Sequence, residues 1–398
     1  MTEADRMAKR DIADAEVSLG LWPGHKAYEI GKVLGRGAFG SVFEGQTRRN
    51  GTRVAIKRID SLFSSRDVVV SALREVFIHA HLDSCGGRGS VARLLEVMPP
   101  DENDAKFDHI YSVYEKYDAS LYKSMQTSKW RLVTPEEKRI LAFQLSECVA
   151  RLHACNVAHR DIKPENIVLK YEFSKVALCD LGMARNIGEG PNRSDCTITD
   201  YVTTRWYRAP EVCCGTVSSS PAIGGVEGGG MLAADIWSLG CVLGEILSDD
   251  PIPIFCGSTS QEQTSVIGTA LGKMGVRTRR YYELYANNRE VYKSMIDAST
   301  GCVAYEDECH RRLHSICDLV KCGVPKQAVD LLQMMLTYDP RRRISAEDVL
   351  SHRFFSGLKR DNRPIVKSPC LVPDLSDCYS RAYVRQSLVE CNSLLAAN

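Results

Sequence analysis

The sequence has almost no charge imbalance: 51 Lys and Arg stand against 50 Asp and Glu, leaving a formal +1. No global field therefore favours nucleic acid or a membrane surface, and neither is expected as a partner. No secretory signal is visible in residues 1–20, which carry acidic groups from the third position and no apolar centre, so none is expected. Long hydrophobic runs are missing too, and no stretch approaches the apolar length of a membrane span. No internal repeat is visible. The 16 cysteines follow no regular spacing, and Cys213 and Cys214 are adjacent. A disulfide framework is thereby disfavoured, and the expected setting is the cytoplasm and nucleus, where thiols stay reduced.

What is present is ordinary globular material: 398 residues, 44% hydrophobic and 25% charged, enough for a sizeable core. Residues 1–27 form a polar leader. From Tyr28 to about Tyr114 the pattern is β-branched and alternating, with a turn at Asn50-Gly51 and one helical stretch at 67–80. After Tyr117 apolar residues recur at three- and four-residue spacing, as in the run from Pro135 to His153, which predicts helices. The expected α+β architecture is a small β-rich lobe with one main helix (about 28–114), a hinge at 115–118 and a larger helical lobe (about 119–355). A C-terminal extension, 356–398, would either settle on this domain or trail from it. Residues 218–230 have flexible-loop composition, and residues 272–324 read as irregular.

Several motifs follow in fixed order. Leu34 leads into Gly35-Arg36-Gly37-Ala38-Phe39-Gly40-Ser41-Val42, where glycines let backbone approach phosphate oxygens closely. A dinucleotide fold would need a helix after this loop; Ser41-Val42-Phe43 instead continues into a turn and another strand, so a hairpin over a nucleotide fits. Lys57 closes an apolar run, Val54-Ala55-Ile56. A buried ammonium is costly unless paired, and Glu75 on the 67–80 helix is the candidate partner. Then come His159-Arg160-Asp161-Ile162-Lys163-Pro164-Glu165-Asn166, Asp180-Leu181-Gly182, Thr199-Asp200-Tyr201 and Ala209-Pro210-Glu211.

Taken in order, these segments resemble the eukaryotic protein kinases, and the Thr-Asp-Tyr segment resembles the mitogen-activated protein (MAP) kinases, in particular an atypical extracellular-signal-regulated type. The resemblance covers about Tyr28 to Phe355 and implies a bilobal protein-kinase fold that uses ATP and Mg²⁺. It implies that residues 34–42 cover the nucleotide, with Lys57 on its phosphates and Glu75 behind Lys57. Asp161 would take or orient the substrate hydroxyl proton, and Lys163 would offset charge on the phosphoryl group. Asn166 and Asp180 would be the metal ligands. The adenine would lie between Ala55 and Val168, bonded by backbone at Glu115-Lys116-Tyr117, with Tyr114 behind it.

The same resemblance makes Thr199 and Tyr201 activating phosphosites. A phosphate adds about −1.5 to −2 charge and needs cations to hold it. Arg74, Arg160 and Arg185 would receive the phosphothreonine, and Arg205 and Arg208 the phosphotyrosine. Thr204 would bond Asp161 and Lys163. Expected partners are protein substrates with Ser-Pro or Thr-Pro sites, phosphatases, and an upstream dual-specificity kinase unless the enzyme phosphorylates itself; a monomer is expected. Glu211 with Arg343, and Asp235 with the catalytic-loop backbone, are implied structural anchors.

Some features depart from the pattern. His79 stands one helical turn after Glu75, where the family has an apolar residue, so the helix is either loosened or differently phased. Leu181 replaces a phenylalanine. The acidic docking site is not evident near 359–367, although Asp374 and Asp377 are nearby. Cys309, His310, His314, Cys317 and Cys322 have zinc-compatible spacing, yet Leu313, Ile316 and Val320 form a helical stripe that makes core cysteines the alternative. Competing readings are a Thr-Asp-Tyr kinase of the male-germ-cell-associated or cyclin-dependent type, and a pseudokinase scaffold.

Overall fold

The computed structural model describes residues 26–37, 40–100, 104–187, 205–216, 229–300, 324–360, 364, 365, 373, 375 and 378–397. It separates into two compact units. The first comprises Met1–Asp118, Cys179–Ala184 and Ile365–Asn398, and the second Ala119–Leu178 with Arg185–Pro364. The first unit thus takes in the Asp180-Leu181-Gly182 segment and most of the C-terminal extension, both placed outside the small lobe by the sequence reading.

The first unit is built on five antiparallel strands: β1 (Tyr28–Gly37), β2 (Gly40–Thr47), β3 (Arg53–Ile59), β4 (Leu94–Met98) and β5 (Ile110–Glu115), in the order β1-β2-β3-β5-β4. Alternation along β3 divides its side chains between two faces. Val54 and Ile56 enter an apolar cluster with Tyr28, Phe43, Tyr111 and Val113, so Ala55 and Lys57 are left for the other face. Lys57 lies past the middle of this strand, opposite Val42 and Ser112.

Helix α1 (Arg66–Ser84) starts where the Ser65 side chain caps the Val68 N–H. Leu73 to Leu82 are buried without a break, more than an amphipathic surface helix would bury. A second covering element explains this. The C-terminal helix α4 (Arg381–Ala397) inserts Val384, Leu388, Cys391 and Leu395 into the same cluster as Val69, Leu73, Val76, Phe77 and Ala80. Asn392 completes the contact. Its Oδ1 accepts from the Val97 N–H at 2.8 Å and its amide donates to the Val97 carbonyl, which satisfies the open edge of β4. Arg381 and Arg385 donate to the carbonyls of Phe107 and Asp104, each at 2.8 Å.

The second unit is mainly helical. Helix α2 (Pro135–Ala154) opens with a reciprocal capping box between Thr134 and Glu137. Helix α3 (Gly229–Leu247) is long and apolar enough to cross a membrane, which corrects the expectation that no stretch approaches that length. It is mostly buried within its unit, and its carboxylates Asp235 and Glu245 are buried there too, as in a core helix. Residues 276–300, expected to be irregular, form helices Val276–Tyr285 and Arg289–Thr300. Glu211 and Arg343 meet as a buried pair at 2.6 and 2.9 Å. Burial pulls the Arg343 guanidinium down, and Glu211 more than restores it. Breaking a pair of this kind typically costs about 3–5 kcal/mol.

Candidate active site

The glycine loop sits on the β1–β2 hairpin, where Gly35 pairs with Val42, Arg36 with Ser41, and Gly37 with Gly40. Gly40 is required by its backbone: its φ is +143°, and an added Cβ would meet the Arg58 carbonyl oxygen at 1.9 Å. Gly35 and Gly37 have no such requirement, since nothing lies within 4 Å of a Cβ built on either. Packing does not explain those two glycines; the open space beside them fits close approach of a ligand to backbone. Leu34, Ser41 and Val42 lie on the same hairpin, while Ala38 and Phe39 fall outside the described residues.

Within this unit the structure brings Lys57, Glu75 and Asp180 together. Lys57 Nζ donates to Glu75 Oε1 and Oε2 at 2.9 and 2.8 Å and to Asp180 Oδ1 at 3.0 Å. Burial would lower the Lys57 pKa, but Asp180 and Glu75 outweigh it and raise the group well above the usual lysine range. Asp180 has a φ of +64°, an uncommon conformation for a non-glycine residue and one frequent at functional sites. Leu181 beside it is fully buried, and the Gly182 carbonyl accepts from Ser71 Oγ at 2.7 Å, which ties the segment to α1. Cys179 is partly exposed.

His79 is buried one turn after Glu75, so the helix phase read from the sequence holds while Glu75 still faces Lys57. Burial, then the Lys57 charge, pushes the imidazole down to about 3, and it is neutral. The sequence reading missed a further contact: Tyr114 on β5 donates its hydroxyl to Glu75 Oε1 at 2.8 Å. At the expected hinge the Glu115 N–H is taken by the Arg93 carbonyl at 2.9 Å. The Tyr117 carbonyl accepts from Lys116 Nζ. Ala55 pairs with Tyr114 across β3 and β5.

The second unit holds a separate polar cluster. Asp161 Oδ2 accepts from Lys163 Nζ at 2.7 Å and from Asn166 Nδ2 at 2.8 Å, and the same Nδ2 donates to the Asp161 carbonyl at 2.9 Å. With its amide nitrogen committed to Asp161, Asn166 has an oxygen to offer a cation. Oxygen donors such as this and the Asp180 carboxylate suit Mg²⁺. Val168 lies on the short strand Ile167–Leu169, paired with Ser120 and Ala177. The loop before Asp161 is held from α3: Asp235 accepts the His159 and Arg160 N–H groups, each at 2.7 Å. Arg160 has a φ of +68°, and this carboxylate braces the strained backbone. His153 Nε2 lies 3.0 Å from the same carboxylate, a third partner that no motif signals.

A protein kinase domain profile matches residues 28–355. The chain belongs to the protein kinase family. Proteins it is similar to include MAP kinases, and the chain groups with them. Mouse mitogen-activated protein kinase 15 is 34% identical over 330 residues, 82% of this chain and 53% of that protein. Mitogen-activated protein kinase 7 of Arabidopsis thaliana is 32% identical over 329 residues, 82% and 78% of the two chains. The tobacco homolog NTF6 is 30% identical over 338 residues, 84% and 80%. The chain spans about half the length of the mouse and rat kinases that it matches.

The residues expected to take part in regulation are only partly described. Thr199, Tyr201 and Thr204 fall outside the described residues, as do Asp374, Asp377 and the 301–323 stretch with its cysteines and histidines. Arg74 is buried on α1 in the first unit. Arg160, Arg185, Arg205 and Arg208 belong to the second, where Arg205 opens a short turn, Arg205–Tyr207, after the undescribed segment. Among the described residues no group of three or more His, Cys, Asp or Glu side chains is placed to hold a metal ion.

Proposed function

We propose that the protein is a serine/threonine kinase of MAP kinase type, transferring the γ-phosphoryl group of ATP to Ser or Thr followed by Pro. The observation that carries this is the complete set of charged and polar partners: Lys57 bonded to Glu75 and Asp180 in one unit, and Asp161 bonded to Lys163 and Asn166 in the other. A scaffold released from catalysis has no need of all six.

In the reaction, Asp161 orients the substrate hydroxyl and accepts its proton as the oxygen attacks the γ-phosphorus and the bond to the β,γ-bridging oxygen breaks, releasing ADP. Lys163 stays beside Asp161 and offsets the negative charge that gathers on the transferred group. Lys57, kept cationic by its carboxylate neighbours, donates to phosphate oxygens. Asn166 and Asp180 would hold Mg²⁺, which when bound supplies charge neutralisation at the phosphates. Phosphorylation of Thr199 and Tyr201, by an upstream kinase or by the enzyme itself, would give the arginines a shared anion and order the segment between Asp180 and Pro210. Phosphatases would reverse it. A cytoplasmic and nuclear location is proposed with this role.

The test uses Asp180→Ala, which removes a proposed metal ligand at a half-exposed position. Transfer should fall by at least about a hundredfold in a variant that still unfolds cooperatively. Wild-type protein should also be stabilised more by ATP with Mg²⁺ than by ATP with chelator. Equal stabilisation, with no transfer by wild type or variant, would return the chain to the scaffold reading, and transfer unaffected by the substitution would remove Asp180 from the machinery.

A further inference from the structure

We propose that Tyr114 is a positioning residue for phosphoryl transfer, acting through Glu75. This rests on the kinase reading above and adds a member to its machinery. Glu75 is 3% exposed, and its two oxygens receive three hydrogen bonds. Lys57 supplies two, but the same Nζ also reaches Asp180 Oδ1 at 3.0 Å. The lysine is thus divided between two carboxylates, and a nucleotide phosphate would divide it further. The Tyr114 hydroxyl also meets Ser112, but it has one proton to donate, and that proton goes to Glu75. Tyr114 donates to Glu75 Oε1 at 2.8 Å, and its backbone is fixed in the middle of the sheet, opposite Ala55 on β3 and Leu94 on β4. The bond therefore ties α1 to β5 independently of where the lysine points. Glu75 stays aimed at the nucleotide side while Lys57 redistributes its donors, which is the preorganisation that efficient transfer needs.

The neighbouring side chain supports this role. His79 lies with its ring 5.5 Å from the Tyr114 ring, and its Nε2 is buried with no hydrogen-bond partner. A charged imidazole one turn from Glu75 would compete for the carboxylate. Burial and the nearby Lys57 charge keep it neutral, so Tyr114 remains the donor and the imidazole serves as a wall that orients the phenol.

Tyr114→Phe removes the hydroxyl and leaves the ring. Measured in a double-mutant cycle with Glu75→Ala, it should lower kcat about tenfold in the wild-type background, the effect of one charge-assisted hydrogen bond. The KM for ATP should change less than about twofold, because ground-state binding is not what the bond supplies. In the Glu75→Ala background the same substitution should have no further effect. Equal losses in both backgrounds would overturn the proposal, because the hydroxyl would then act by a route other than Glu75. Amide exchange over residues 72–79 gives a readout that needs no turnover: Tyr114→Phe should speed exchange only when Glu75 is present. Unchanged exchange would reject the role even if the wild type proved inactive, whereas inactivity with the expected exchange pattern would count against the kinase reading alone. If Tyr114→Phe does not fold, Tyr114→Met fills the site without a donor and takes its place in the cycle.

Discussion

At the scale of single residues, neighbours rather than residue type decide what a side chain does. Lys57 stays charged in a buried position because Asp180 and Glu75 outweigh its desolvation. His79, buried one helical turn after Glu75, is held neutral by burial and by that lysine. The histidine carries a cost that depends on pH. Its pKa is about 3 in the folded protein against 6.5 ordinarily, so the unfolded chain binds a proton that the folded one refuses. Stability therefore falls as pH drops through 6.5 toward 3, by about 2 kcal/mol at pH 5 from this group alone. His79→Leu should flatten the decline in melting temperature between pH 7 and pH 5; an equally steep decline in the variant would show that His79 does not titrate on unfolding. The Lys57 and Glu75 pairing was readable because an ammonium in an apolar strand demands a carboxylate, and one helix supplied it. The Tyr114 hydroxyl was not readable, because a tyrosine in an apolar strand is an ordinary core residue until the position of Glu75 is known.

Individual elements show where sequence periodicity stops being informative. Helix α2 was legible from its three- and four-residue spacing and the proline after Thr134. Helix α1 is buried along most of its length, and its pattern alone does not say what covers the second side. The cover is α4, some three hundred positions away, whose Val384, Leu388, Cys391 and Leu395 complete the core around α1. Asn392 shows the same limit at one position, since a lone asparagine on a helix has no signature for capping a strand edge. Replacing it with alanine leaves the Val97 N–H and carbonyl unbonded, at a cost of about 1–3 kcal/mol. Asn392→Ala should therefore lower the melting temperature by several degrees and accelerate exchange of the Val97 amide. An unchanged Val97 amide would show that α4 does not secure this edge. Helix α3 likewise carries its meaning in partners: Asp235 is set by the loop it holds, and the apolar run around it belongs to a protein interior.

For the whole molecule, the order of motifs was the readable quantity. Seven short segments, each weak alone, point to one chemistry, and the family match across residues 28–355 agrees with that order. Less legible was how the chain is partitioned. The segment at Asp180 groups with the first unit, as does α4, because bonds to Lys57 and Ser71 and the apolar face of α1 hold them there. Such long-range closures leave no periodic trace in sequence. The proposed switch at Thr199 and Tyr201 belongs to this scale as well, since its arginines are distributed over both units.

The most direct test of the account is phosphoryl transfer to matched peptides, Ser-Pro against Ser-Ala, with ATP and Mg²⁺. The enzyme should carry phosphate on Thr199 and Tyr201 verified by mass spectrometry, with the Thr199→Ala/Tyr201→Phe variant alongside. The account predicts transfer that prefers Ser-Pro and is largely lost in the double variant. No transfer by the doubly phosphorylated enzyme to either peptide, or equal transfer to both by enzyme and variant alike, would contradict it.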